Sequence, residues 1–297
     1  MRIRKKSPKP SAKRPPLYFI GYRGTAPGTD EVKALYDREY GGPLVIQHEE
    51  GSSESWQATH GPWSAHVVMP LPASHVAEIM KQLSWEHELM GAIAPSITSP
   101  RDMPDTVLLA ARLARCLTLL SQGTAYDVIT QAYVNPSDWQ QRALSSFLLD
   151  DHVSIVHDDT AHPDRVWSYS LGLSKFGVDE IELFSAKGLP DSSTKDILSA
   201  SGNELLRLGQ PMKVGATLDL PLLGRTVRVR NYRTAAPAGR KRSAAFGTLS
   251  ALSFCARGAS ASVCAALRAR SPMSCINAET SGPESMFLSG AGMTSQR

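Results

Sequence analysis

The sequence predicts an α+β fold: a mixed or antiparallel sheet with helices packed on it and flexible segments at both ends. Three observations carry this expectation. Short strand-like runs are interspersed with helical periodicities between residues 17 and 230. Several connections between strand-like runs are too short to hold the crossover helix that a parallel pair needs. Apolar residues make up 42% of the 297-residue chain, enough to bury a core, and their periodicity dissolves after about residue 234.

The elements follow in order. Residues 17–23 (LYFIGYR) read as a first strand. In 29–40, Val32, Leu35 and Tyr36 fall at helical spacing, and Gly41-Gly42 ends the helix. Residues 44–48 form a second strand and 49–55 a polar loop. Residues 63–69 are strand-like. Pro72 then opens a helix in which Val76, Ile79, Met80 and Leu83 fall at i, i+3, i+4, i+7. Residues 91–97 form another strand. Pro104 suits a first helical position and Asp105 the positive helix end, opening a helix that buries Leu109, Leu113, Cys116, Leu117 and Leu120 and stops at Gly123.

Residues 126–134 read as one strand. Asn135 caps a helix with Pro136 at its first position and Trp139, Ala143, Phe147 and Leu148 on its apolar side. Strands at 153–157 and 166–171 are joined by a polar turn at 158–164, and 180–184 is a further strand. A last helix runs from Asp191 or Ser192 to Gly209, and the strand 226–229 closes the body.

Charge divides the chain. Residues 1–16 carry seven Lys/Arg and no acid, and 230–297 carry nine Lys/Arg and two Glu. That leaves 16 basic against 26 acidic residues for 17–229, a net charge of −10, although the whole chain is +4. The expected organisation is a disordered basic head (1–16), one α+β domain (17–230) and a disordered Ala/Ser/Gly/Arg-rich tail (234–297). An acidic body argues against nucleic-acid binding by the folded part and leaves only weak attachment through the tails. It also suits a basic protein partner. No window approaches the ~18 apolar residues of a membrane span.

The four cysteines include no Cys-x-x-Cys, and no His follows position 162. Neither a metal site, nor a cofactor, nor a disulfide framework is expected, and the setting is read as cytoplasmic. No Gly-x-Ser-x-Gly elbow and no phosphate-binding loop occur. His66 falls in an apolar strand and reads as a hydrogen-bonded core histidine.

Two candidate sites stand out. The cluster at 150–164 supplies His157, Asp158 and His162 as acid–base candidates for a hydrolase, although His152 and His157 at five-residue spacing would project to opposite faces of a strand. Trp167 and Tyr169 alternate with Leu171 on one strand face, a pattern that fits either a binding surface or core packing.

The segment Val166-Trp167-Ser168-Tyr169-Ser170-Leu171-Gly172-Leu173-Ser174-Lys175-Phe176-Gly177-Val178-Asp179-Glu180-Ile181-Glu182-Leu183 resembles the W-x-x-T-x-G-L-x-x-F-G-x-x-E-[IL]-E segment of a group of bacterial domains of unknown function. Gly61-Pro62-Trp63, Leu71-Pro72 and the Ala-Arg-Leu-Ala-Arg run at 111–115 resemble the same group, so the likeness spans residues 61–225. Ser170 stands where Thr is usual and Val178 where Leu is usual. The resemblance implies an α+β fold and brings no activity or site residues. In structural terms, Gly172 and Gly177 bracket a turn between two strands. The function expected from the residues is a non-catalytic protein-interaction or binding domain, such as an immunity or adaptor protein. The alternatives are a hydrolase using 150–164 and nucleic-acid attachment through the tails.

Overall fold

The computed structural model describes residues 15–83, 87–97, 103–162, 165–186, 191–209, 213, 215–231 and 274–277. The expected basic head and tail lie outside these residues, apart from 15–16 and 274–277.

The α+β expectation holds. A seven-stranded sheet has the order β2-β3-β4-β5-β1-β6-β7. Its strands are β1 (Tyr18–Tyr22), β2 (Val45–His48), β3 (Ser55–His60), β4 (Trp63–Val68), β5 (Leu89–Ser96), β6 (Thr124–Asp127) and β7 (Ala132–Val134). Every strand pair among the described residues is antiparallel, so the mixed-sheet option falls away.

Helices cover this sheet on both faces. From β1, Tyr18, Ile20 and Tyr22 join the core that includes α3 (Met103–Ser121), which packs against α1 (Thr29–Tyr40). Phe19 points the other way, into a second cluster with Val76 and Ile79 of α2 (Ala73–Leu83) and with Met90, Ala92 and Tyr126. A strand covered on both faces has no polar side, which is why the centre of the sheet reads as a continuous apolar run. Helix α3 is enclosed on nearly all sides, and its apolar residues run around the whole helix rather than along one stripe. Burial pushes the Cys116 thiol on α3 up to about 12, so it stays protonated.

The C-terminal part adds a three-stranded sheet of β8 (Ser154–His162), β9 (Arg165–Leu171) and β10 (Glu182–Ala186), in the order β10-β9-β8. Helix α5 (Asp191–Leu208) packs against all three of these strands and against β11 (Thr217–Leu220). Strand β11 pairs with β12 (Arg225–Asn231). The other edge of β12 takes β13 (Ser274–Asn277), four residues of the expected unstructured tail, with Val229 opposite Ile276. An open strand edge is a ready template for such pairing.

The structure departs from the sequence reading in five further places. Residues 126–134 are a hairpin, not one strand: Asp127 Oδ1 accepts the N–H groups of Ile129 and Thr130 (both 3.1 Å) and turns the chain. The short helix α4 (Pro136–Gln140) stops well before Leu148. Arg112 of α3 donates from Nε to the Leu144 carbonyl and from Nη2 to that of Ser145 (both 2.8 Å), so these carbonyls are held outside any helix. Strand β8 continues through the expected turn to His162, with a register irregularity after Asp158. Strands β3 and β11 occupy segments with no predicted element.

Candidate functional site

The acid–base candidates do not converge. His157 and Asp158 are successive residues of β8, and successive strand residues face opposite ways. His157 lies opposite Ser168, with Nδ1 2.8 Å from the Ser168 Oγ. Asp158 lies opposite Trp167, and its Oδ1 accepts the N–H and O–H of Thr160 (3.0 and 2.7 Å). The backbone of His162 pairs with Arg165; its side chain lies outside the described residues. Among the described residues, no group of three or more His, Cys, Asp or Glu is placed to hold a metal ion.

Trp167 and Tyr169 do come together, on one face of the three-stranded sheet. Cross-strand register places Asp158, Trp167 and Phe184 in one row and Val156, Tyr169 and Glu182 in the next. The Trp167 and Tyr169 rings lie 4.6 Å apart, and the Trp167 and Phe184 rings stack at 6.3 Å and 10°. Trp167 donates its indole N–H to Glu182 Oε2 at 3.2 Å. The three aromatic rings are half-buried, whereas Glu182 is buried. The fully buried positions of β9 are the two serines, Ser168 and Ser170. Large side chains thus occupy the more open face and small ones the closed face.

The segment from Ser170 to Glu182 explains this inversion. The buried Glu180 carboxylate accepts the N–H groups of Gly172, Leu173 and Ser174 (2.9, 3.1 and 3.0 Å) and the Ser170 hydroxyl (2.8 Å). It therefore caps the 3-10 turn Leu173–Phe176, whose free N–H groups would otherwise be unsatisfied. Ser170 Oγ also accepts the N–H of Ile181 at 2.9 Å, so a small hydroxyl is required on that face. Gly172 has φ +128°, and a Cβ there would sit 2.5 Å from the His152 carbonyl oxygen. The turn delivers Lys175, fully enclosed, into an ion pair with Asp127 of β6, and Lys175 Nζ also donates to the His152 carbonyl (2.7 Å). Lys175 lies 5.7 Å from the centre of the Tyr18 ring, whose hydroxyl burial and the Asp127 carboxylate hold well above its usual range. Burial, with Lys175 and Arg142, pushes the His152 imidazole down to about 3. It is neutral, packed between Phe147 (5.1 Å, stacked) and Phe176 (6.1 Å, edge-on), and neither ring nitrogen has a hydrogen-bond partner among the described residues. The segment is a lock that ties the C-terminal sheet to the seven-stranded one.

A second polar cluster has the composition of a hydrolytic triad without its geometry. His66 Nε2 lies 2.8 Å from Ser55 Oγ and 2.9 Å from Glu49 Oε1, and the Ser55 hydroxyl donates to Glu49 Oε2 at 2.7 Å. Both partners therefore meet the same ring nitrogen. A relay needs the carboxylate on one nitrogen and the nucleophile on the other. The cluster fastens the start of β3 to β4. His66 is hydrogen-bonded as the sequence suggested, but it lies at the edge of the core, with 22% of its side chain exposed.

Sequence reasoning identified the Trp167/Tyr169 pair but missed Phe184, Glu182 and the Lys175–Asp127 pair. Phe184 and Glu182 were legible in principle, because they alternate on the next strand. No protein-family model matches the chain, and no curated protein or solved structure is significantly similar to it.

Proposed function

We propose that this protein is a non-catalytic binding domain in which the Trp167, Tyr169 and Phe184 face receives a basic segment of a protein partner. The observation that carries the reading is the composition of that face: three adjoining, half-buried aromatic rings with Asp158 and Glu182 in the same two rows. Aromatic faces attract Lys and Arg head groups, and neighbouring carboxylates add to the attraction. The −10 charge of residues 17–229 supports the same polarity of partner and would speed encounter with it. An adaptor, or an immunity protein that masks a basic partner, fits this description. A cytoplasmic setting is in keeping with a free, buried Cys116. No described helix is long and apolar enough to cross a membrane.

The hydrolase reading gains no support from the opposed directions of His157 and Asp158. The tail-borne nucleic-acid reading rests on residues outside those described. Isothermal titration with an arginine-rich peptide tests the proposal. The expected result is saturable binding that weakens with salt and falls about tenfold in Trp167→Ala, the equivalent of ~1.4 kcal/mol. Equal binding by Trp167→Ala and Tyr169→Ala would overturn it.

A further inference from the structure

Strand β12 has one edge against β11 and one edge that faces away from it. The inner face of the pair carries Leu218, Leu220, Val227 and Val229, all buried. Val229 spends both of its main-chain groups on the β11 side: its N–H goes to the Ala216 carbonyl and its carbonyl accepts the Gly215 N–H, both at 2.8 Å. Antiparallel pairing alternates, so the main-chain groups of Thr226, Arg228 and Arg230 turn to the outer edge. There β13 lies alongside, with Asn277 opposite Arg228 and Cys275 opposite Arg230. Strand β13 has four residues and β12 seven, and no described strand lies opposite Thr226 on the outer edge. The edge is longer than the strand that occupies it.

The edge is also unmatched in charge. Arg225, Arg228 and Arg230 fall within a strand that holds no acid, although residues 17–229 sum to −10. Arg225 and Arg228 are exposed, and neither makes an ion pair to a described residue. Strand β13, Ser-Cys-Ile-Asn, brings no charge to them. Directly opposite residues of an antiparallel pair share a face. A strand matched to this edge therefore carries apolar residues opposite Val227 and Val229 and carboxylates opposite Thr226, Arg228 and Arg230. Strand β13 meets the first requirement at one position, Ile276 opposite Val229, and the second nowhere.

We propose that the outer edge of β12 receives an extended acidic segment of a protein partner as an added strand, and that Ser274–Asn277 hold its place until it arrives. Main-chain pairing supplies the affinity, and alternate side chains supply the selection. Strand β13 also packs against β10, whose one charged residue, Glu182, already accepts the Trp167 indole N–H. The added strand thus meets no free carboxylate on that side.

The test is fluorescence anisotropy with the full chain and a labelled peptide, Glu-Val-Glu-Ile-Glu-Val-Glu. The expected result is saturable binding. It should weaken about tenfold when every Glu of the peptide is replaced by Gln, and about threefold in Arg228→Glu, whose exposed position leaves the fold intact. A peptide N-methylated at its Glu residues loses the N–H groups directed at β12 and should not bind. In the full chain, Cys275→Pro with Asn277→Pro removes the same groups from β13, vacates the edge and should tighten peptide binding about fivefold. Absence of saturable binding by this double variant overturns the proposal. So does equal binding of the Gln or the N-methylated peptide, or an affinity unchanged by the double substitution. A double variant that turns a dimer into a monomer without gaining affinity for the peptide would assign the edge to a second copy of the chain, and the proposal falls. The edge shares no residue with the Trp167 face and its probe is acidic, so this result and the arginine-peptide titration fail independently.

Discussion

The two sheets are stabilised by different means. The seven-stranded sheet is held by apolar burial on both faces, through Ile20, Ile93, Leu109, Leu113 and Leu117 on one side and Phe19, Ile79 and Met90 on the other. The three-stranded sheet closes its inner face with Ser168 and Ser170 and depends on Glu180, Lys175 and His152, all buried. Apolar contacts are numerous and individually weak, so the loss of one is absorbed. A buried charge or imidazole depends on a few partners, and their loss strands it. The first region should therefore respond gradually to mutation, with His60 of β3, held below its usual range by burial and Arg112, as a titrating group at its edge. The second should be brittle and pH-sensitive.

The largest effect is expected at the Lys175–Asp127 pair. Lys175→Met leaves Asp127 ionised and enclosed, and should destabilise the protein by about 3–5 kcal/mol in urea denaturation. Adding Asp127→Asn removes the stranded charge while keeping an oxygen for the Ile129 and Thr130 N–H groups, and should recover much of that loss. A single variant near wild-type stability would mean that the lock contributes little.

His152 gives the next effect, through pH. The unfolded imidazole takes up a proton near 6.5, while the folded one resists until about 3. Stability from this group is therefore complete above pH 6.5 and is lost as pH falls from 6.5 toward 3. Between pH 7 and pH 5 the loss is about 2 kcal/mol, from ~1.36 kcal/mol per pH unit. His152→Phe should flatten this part of the stability–pH curve. A curve as steep as wild type in that variant would assign the effect elsewhere.

Ser170→Ala comes third. It deprives Glu180 Oε2 of a donor and the Ile181 N–H of its acceptor, and should lower stability by about 1–2 kcal/mol. Ser170→Thr keeps the hydroxyl and should lie closer to wild type.

The same contrast explains what the sequence could reveal. Helix α1 was legible to the residue, because its stop is local: Gly41 has φ +74° and donates its N–H to the Asp37 carbonyl. Period-two alternation correctly grouped Trp167, Tyr169 and Leu171 on one face. Alternation cannot say which face is closed, and side-chain size suggests the wrong answer when a buried Glu180 demands serines. Helix α4 was overextended because Arg112, 32 residues away in the chain, takes up the Leu144 carbonyl. The Lys175–Asp127 pair spans 48 residues and has no sequence periodicity to announce it. The candidate acid–base cluster looked dense because sequence proximity hides the opposite directions of successive strand residues.

The smallest effect is expected in the apolar region, and it serves as the control for the rest. Ile93 is fully buried in β5, opposite Tyr18 of β1 and Val67 of β4. Ile93→Val removes one methyl group and keeps the branched side chain that a strand favours. The expected loss is about 1 kcal/mol, within the ~0.5–1.5 kcal/mol usual for this change. The decisive measurement is its pH dependence. Ile93→Val and wild type should give parallel stability–pH curves between pH 7 and 5, because no titrating group changes its surroundings. If the variant instead steepened the acid loss, the two sheets would share one electrostatic response through β1, where Tyr18 touches both Asp127 and the apolar core. The division between a forgiving sheet and a brittle one would then have to be redrawn along that strand.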